Sequence, residues 1–226
     1  MARMQINKNK SNSLPTVIRN SKGEEIGHYD EDMINTLKNT VAKDATDSEF
    51  KMFMSLALSY DLDPFKKEIF FGKSEKSDKV LVMISRDGYR KIVKRDSNYK
   101  YHVSDYVCEN DDFKVTKTDD KISLVHEYGF DRGDLKGAYC ILYTKSGEQY
   151  SFFAEFNKYN QSSTSLGWKN YPIDMIIKTA ESRVFRSFAD VNGLIPESDE
   201  ETVISEDVIE NEIETKIIKG GIKNEC

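Results

Sequence analysis

From its amino end the chain switches between two kinds of apolar spacing, one helical and one strand-like. Residues 1–28 show neither; they are polar, with Asn, Ser and Lys, and read as a flexible N-terminal arm holding one short strand near Thr16–Arg19. Asp30 is placed to cap a helix through about Ala42, with Met33, Ile34, Leu37 and Val41 on one face. Thr46 or Asp47 opens a second helix. Its Phe50, Phe53, Met54, Ala57 and Leu58 recur at the i, i+3, i+4, i+7, i+8 spacing of a core-facing stripe. Asp63-Pro64 closes that region, because proline disfavours helical backbone at the residue before it.

The period then shortens. Glu68–Gly72 and Val80–Ile84 read as strands around the turn GKSEKSD. Ser85 is an N-cap for the helix RDGYRKIVKR, whose Asp87 and Lys94/Arg95 suit the two ends of a helix dipole. Tyr99–Val107, Phe113–Thr116, Ile122–Tyr128, Gly137–Tyr143 and Gln149–Phe156 follow as strands, with Lys145-Ser-Gly147 as a hairpin turn. Asn157–Gly167 is Ser-rich and reads as a mobile linker. Pro172 sits at a first helical position. The helix it starts runs to about Val191, with Met175, Ile176, Ala180, Val184 and Phe188 inward and Gly193 as its stop. Spaced Val and Ile from Val203 to Ile218 would let a short amphipathic helix form against a partner. The expected fold class is α+β: a curved antiparallel β-sheet and hairpin core packed by the Thr46–Tyr60 and Pro172–Val191 helices, with the Ser85–Asp96 helix nearby. The expected organisation is an arm at 1–28, a core at 29–195 and an acidic tail at 196–226.

Charge changes this picture. The chain is −6 overall, yet residues 65–100 hold eleven Lys and Arg against five acids, a segment of +6. Ten acids and three lysines from Pro196 to Cys226 give −7, and subtracting that from −6 leaves +1 for the rest. The acidity is a local appendage, and the body carries a basic patch suited to a polyanion. Cys108, Cys140 and Cys226 are scattered, which fits a reducing cytoplasm and supplies neither a disulfide framework nor a metal cluster. No apolar run nears the roughly 20 residues that cross a bilayer, so no membrane is expected.

Three motifs test enzyme chemistry. Gly72-Lys73-Ser74 imitates the end of a P-loop, but the glycine required five positions earlier is Lys67. Asp61, Asp63 and Glu68 beside Lys66 and Lys67 suggest an Mg²⁺-dependent nuclease, at a spacing that matches no strong motif. His28, His102 and His126 lack metal-ligand spacing. The basic block carries more. Its lysines and arginines reach a phosphate backbone together, and Phe65, Phe70, Phe71 and Tyr89 between them offer base-stacking faces, or else core. On the late helix, Lys178 and Arg186 lie about 12 Å apart along the axis and about 80° apart around it. Arg183 falls on the side of Arg186.

Tyr60-Asp-Leu-Asp-Pro64, Lys67-Glu-Ile-Phe70 and Ile84-Ser-Arg-Asp-Gly-Tyr89 resemble the central signature of the RecT/Red-beta single-strand annealing proteins of phages and prophages. Trp168, Pro172, Met175-Ile-Ile-Lys178-Thr179, Arg183 and Arg186 resemble that family's second signature, in the same order and at a fitting interval. The resemblance spans about Asp30 to Pro196. It implies a non-catalytic protein that binds single-stranded DNA, anneals complementary strands without ATP, holds the annealed duplex in a basic groove and assembles into rings or helical filaments. By position it implies DNA contacts at Lys67, Lys178, Arg183 and Arg186, with Arg86 a weaker match and Lys73 and Lys76 matched loosely in the hairpin. It implies no cofactor, leaving open an Mg²⁺ dependence of assembly. Family members carry a longer C-terminal region that docks a phage exonuclease or the host single-strand binding protein; here the acidic tail stands in that place, as a reduced docking segment or a self-competing arm. Besides the nuclease, the other reading is a non-DNA module in which the basic patch meets a neighbour's acidic tail.

Overall fold

The structure, a computed structural model, describes residues 17–19, 25–73, 78–118, 121–160 and 166–196. The fold is α+β with antiparallel sheets, and its described residues divide between two compact units, one within residues 1–88 with 193–195 and one within 89–192 with 196. In the first, β1 (Val17–Arg19) pairs with β2 (Glu25–His28), a strand the polar N-terminal pattern did not indicate. The side chain of Asp30 accepts from the Met33 amide at 2.7 Å and starts α1 (Glu31–Thr40), whose Leu37 is fully buried. Thr46 and Glu49 form a reciprocal capping box on α2 (Asp47–Ser59). The stripe Phe50, Phe53, Met54 and Ala57 is buried, as its spacing required.

The strands β3 (Ile69–Lys73) and β4 (Val80–Ile84) pair antiparallel from Ile69↔Ile84 to Lys73↔Val80. Phe71 meets Phe53 of α2 edge-on at 6.0 Å. Next, α3 (Arg86–Arg95) begins at Ser85, whose Oγ accepts from the Gly88 amide at 3.0 Å. The Ser85 amide and hydroxyl both donate to the Glu68 carbonyl, at 3.1 and 3.3 Å. A Cβ on Gly88 would stand 2.3 Å from that same carbonyl oxygen. The Lys-Glu-Ile and Ser-Arg-Asp-Gly stretches are thus one interlocked turn, and glycine is the residue that lets the helix start lie against Glu68. Gly88→Ala is expected to destabilise the protein by about 3 kcal/mol, the overpacking range, because the opposing atom is backbone. Urea unfolding measures this; a loss under about 0.5 kcal/mol would show that the helix start shifts freely.

The second unit is built on a three-stranded sheet, β5 (Tyr99–Cys108), β8 (Leu135–Thr144) and β9 (Gln149–Glu155), with β8 central. A hairpin, β6 (Asp112–Lys117) with β7 (Ile122–Glu127), lies between them in sequence. β8 is apolar on both faces because both are covered. Its Tyr139 and Ile141, with Val107, pack on Phe113, Ile122 and Leu124 of the hairpin. Against the other face lies α6 (Pro172–Ala189), burying Ile176, Ala180, Val184 and Phe185. Where the sequence suggested a linker, Asn157–Asn160 belong to α4 (Phe156–Asn160) and Leu166 and Gly167 to α5 (Leu166–Asn170); residues 161–165 lie outside the described set. Trp168 is buried and faces Phe156 at 6.3 Å, which anchors this segment. The end of α6 is Asp190 in the left-handed region at φ 46°, three residues before Gly193. A short aspartate tolerates that conformation, so a glycine was not needed there. Finally, β10 (Ile195–Pro196) joins the first unit's sheet beside β4.

Candidate nucleic-acid interface

In the first unit the signature between Tyr60 and Phe70 folds as a tight turn. Leu62 is its buried anchor. The Asp63 carbonyl accepts from the amides of Lys66 and Glu68, each at 3.2 Å. The Asp63 carboxylate accepts from the Phe65 amide at 2.9 Å, and the Glu68 carboxylate accepts from the Asp63 amide at 2.7 Å. These bonds hold Lys67 at φ 58°, a left-handed conformation that costs a lysine roughly 1–2 kcal/mol, and leave its side chain exposed. Two of the three acids suggested as metal ligands therefore cap backbone amides. Among the described residues no three His, Cys, Asp or Glu side chains converge as a metal-binding group. Gly72-Lys73 lies within β3 rather than in a loop ahead of a helix, so the P-loop likeness has no structural counterpart.

Lys73 bridges two carboxylates, Glu49 of α2 at 3.2 Å and Asp78 at 3.0 Å. Its hydrogen bonds to Asp78 and then Glu49 raise its pKa, which keeps the ammonium charged. Lys76 lies outside the described residues, and Arg86 is half-buried at the head of α3. The aromatics of the basic block divide between the two roles left open by the sequence. Tyr89 is fully buried and offers no face to a base, so of the two roles left open for it the core one holds. Phe71 packs on Phe53, Phe70 is half-buried, and Phe65 is 43% exposed, with its ring 6.3 Å from that of Tyr29. Burial, then the Asp63 carboxylate, pushes the Tyr29 hydroxyl up to about 12.

In the second unit the positioning element is α6. Its Lys178 and Arg183 are half-buried and Arg186 is exposed. At 100° per residue Lys178 and Arg183 are about 140° apart with Arg186 between, so the three fan over a broad arc rather than a narrow row. Arg183 lines an open cleft of about 830 Å³ together with Lys117 and Lys121 of the β6–β7 hairpin and Gln149, Tyr150 and Ser187. Among the described residues, Glu148 is the acid on that lining. The two hairpin lysines were not singled out in the sequence, where no periodic signal distinguishes them from other surface lysines.

One buried ion pair sets the charge that α6 presents. Glu181 is completely buried and receives Arg90 through two bonds, Nε to Oε2 at 3.1 Å and an Nη to Oε1 at 2.8 Å. Ser104 Oγ donates to the same carboxylate at 2.5 Å. Glu181 is withdrawn from the surface here, and Arg90, one of the eleven cations of the basic block, is tied to it with its side chain 30% exposed. Of the two acids of α6, Glu181 is thereby neutralised inside, which leaves the exposed Asp174 against Lys178, Arg183 and Arg186. Beside this pair, His102 meets Phe185 edge-on at 4.9 Å, and burial lowers its pKa, favouring the neutral ring.

A second buried network escaped the sequence reading. The Asp111 carboxylate accepts from Arg132 at 3.0 and 2.7 Å, from the Cys108 amide at 2.7 Å, and contacts His126 Nε2 at 3.1 Å. The Arg132 hydrogen bonds hold the carboxyl well below the usual carboxylate range. The guanidinium lies 3.9 Å from the ring centres of both Tyr106 and Tyr128. Every member is internally satisfied, which marks a clamp rather than a reactive site.

The RecT family profile matches residues 28–217. The chain belongs to the RecT family. The match runs through both signature stretches and past Pro196 into the acidic segment. RecT family proteins act as single-strand annealing proteins in phage recombination, and this chain is one of them by that membership. No match was found among curated proteins. Among the described residues, no helix of this RecT family protein is long and apolar enough to cross a membrane.

Proposed function

We propose that this RecT family protein grips single-stranded DNA by its phosphate backbone and anneals complementary strands without ATP, as a ring or helical filament. Lys178, Arg183 and Arg186 of α6, with Lys67, Lys73, Lys76 and Arg86 of the first unit, contact the backbone. Lys117 and Lys121 join Arg183 across the cleft. The observation that carries this reading is the Arg90–Glu181 pair: it removes the one buried acid of α6 from the charge balance, so the helix's outward charge is cationic. Cations on the phosphates lower the repulsion between two incoming strands and leave base edges free. Pairing then supplies the driving force, about 1.4 kcal/mol of stacking per base-pair step. Assembly converts weak contacts at each subunit into avidity along the strand. The protein works in the bacterial cytoplasm, with a phage exonuclease and the host single-strand binding protein as partners, and it is not a catalyst of bond cleavage.

The test mixes dye- and quencher-labelled complementary oligonucleotides with the protein and no nucleotide. Annealing accelerates over the spontaneous rate, and the strands stay full length when Mg²⁺ is added. No acceleration in the absence of ATP, or shortened strands with Mg²⁺, would defeat the proposal.

A further inference from the structure

The second unit's sheet is unguarded where it meets the cleft beside α6. Among the described residues, β9 is an outer strand paired with β8 alone. Successive residues of a strand point to opposite faces. Residues 149–152 nevertheless all line the cleft, so the cleft meets β9 at its edge. There one row of backbone N–H and C=O groups has no strand partner among the described residues. Edge strands are ordinarily blunted by charge, proline or a bulge. Gln149, Tyr150, Ser151 and Phe152 include no charge and no proline, and their register with β8 runs without a shift.

A cationic wall stands beside this edge. The Ile122 amide donates to the Gln149 side-chain oxygen at 2.5 Å and the Thr118 amide to the Lys121 carbonyl at 2.9 Å, which fixes the hairpin end that carries Lys117 and Lys121. Both lysines are exposed, and among the described residues neither forms an ion pair. With Arg183 they set three cations against Glu148 on the lining. A lysine-flanked strand edge suits an acidic polypeptide of high β-propensity: backbone pairing supplies affinity and charge supplies choice. The chain holds such a segment. Residues 197–214, outside the described residues, contain nine acids and no Lys or Arg, and include Thr202-Val203-Ile204 and Val208-Ile209. Eighteen extended residues span about 60 Å. A compact domain of about 100 residues has a radius of gyration of only about 13 Å, so a segment tethered at Pro196 has ample reach. We propose that residues 197–214 add to the β9 edge in the Lys117–Lys121–Arg183 cleft of their own chain, and that DNA must displace them to reach those cations. This regulation rests on the cleft being a DNA site, as in the proposed function.

The experiment compares the full chain with a full-length variant in which the nine acids of 197–214 are changed Glu→Gln and Asp→Asn. Affinity for a labelled single-stranded oligonucleotide is expected to rise about tenfold, the ratio of a millimolar effective concentration to a segment affinity of about 0.1 mM. The gain is the same at nanomolar and micromolar protein. A synthetic peptide of residues 197–214 binds the amide variant, and the oligonucleotide displaces it. Changing Val203, Ile204, Val208 and Ile209 of the peptide to Ser keeps every charge and weakens that binding at least tenfold. Lys117→Gln with Lys121→Gln in the protein does the same, with thermal unfolding as the check that this variant is folded. A serine peptide that binds as well as the natural one shows attraction by charge alone and overturns the proposal. A gain seen at micromolar protein only seats the segment on a neighbouring copy and also overturns it. A peptide that binds nowhere, while the lysine variant still loses oligonucleotide affinity, overturns the docking and leaves the DNA-gripping reading standing. A peptide that binds at the lysines but is not displaced by DNA overturns the competition and removes the cleft from the DNA site.

Discussion

Replacing Lys178, Arg183 and Arg186 together with alanine is expected to slow annealing of complementary oligonucleotides about 100-fold at physiological salt. Each phosphate contact contributes through counterion release, and three fewer contacts reduce the dependence of log affinity on log salt by about 2 for a single strand. The loss should be uniform across sequences, because backbone contacts carry no base information. The buried side of α6, Ile176, Ala180, Val184 and Phe185, is untouched by the change, so the variant stays folded. Stopped-flow fluorescence with a thermal-unfolding control separates the two effects. A folded triple variant that anneals at the wild-type rate would show that α6 does not carry the DNA.

Arg90→Ala is expected to destabilise the fold by roughly 3–5 kcal/mol, because it leaves the fully buried Glu181 carboxylate with the Ser104 hydroxyl in place of a doubly bonded guanidinium. That loss is comparable to the whole stability of many domains, roughly 5–15 kcal/mol, so the single variant should be partly unfolded near body temperature. The pair itself is expected to add far less. Arg90→Leu with Glu181→Met removes both charges and should recover most of the loss, since a buried ion pair exchanged for well-packed apolar groups is often neutral. Urea midpoints of the three proteins decide it. Equal destabilisation of the single and double variants would mean that Arg90 acts through packing rather than through charge.

These two expectations depend on features of unequal visibility in the chain. Local signals were legible: the Asp30 and Thr46 caps, the Phe50–Ala57 stripe, the Ser85 cap and each strand from Tyr99 to Glu155 follow from spacing that acts within one turn or one hairpin. Pairings over distance were not. Arg90 and Glu181 are 91 positions apart and Arg132 and Asp111 are 21 apart, and a charge's sign does not disclose which opposite charge it will meet. That is why Arg90 entered the sequence reading only as one cation of the basic block. Tyr89 stayed undecided for a related reason: an aromatic amid lysines satisfies either a stacking or a core role, and only packing chooses between them. The strand Glu25–His28 and the helix around Trp168 were hidden because flanking polar residues dominate their composition. The family's two signatures were legible as motifs. The structure gives the first a physical reason, in the Glu68 carbonyl that Ser85 caps and Gly88 abuts.

The central claim is that cationic side chains hold DNA by its phosphates, without regard to base. Its most direct test is the affinity of the full chain for a labelled single-stranded oligonucleotide, titrated across salt concentrations and repeated with an unrelated sequence. Log affinity should fall linearly with log salt at a slope of about −2 or steeper, with the same slope for both sequences. An affinity that stays flat as salt rises, or that follows the sequence while ignoring the salt, would contradict it.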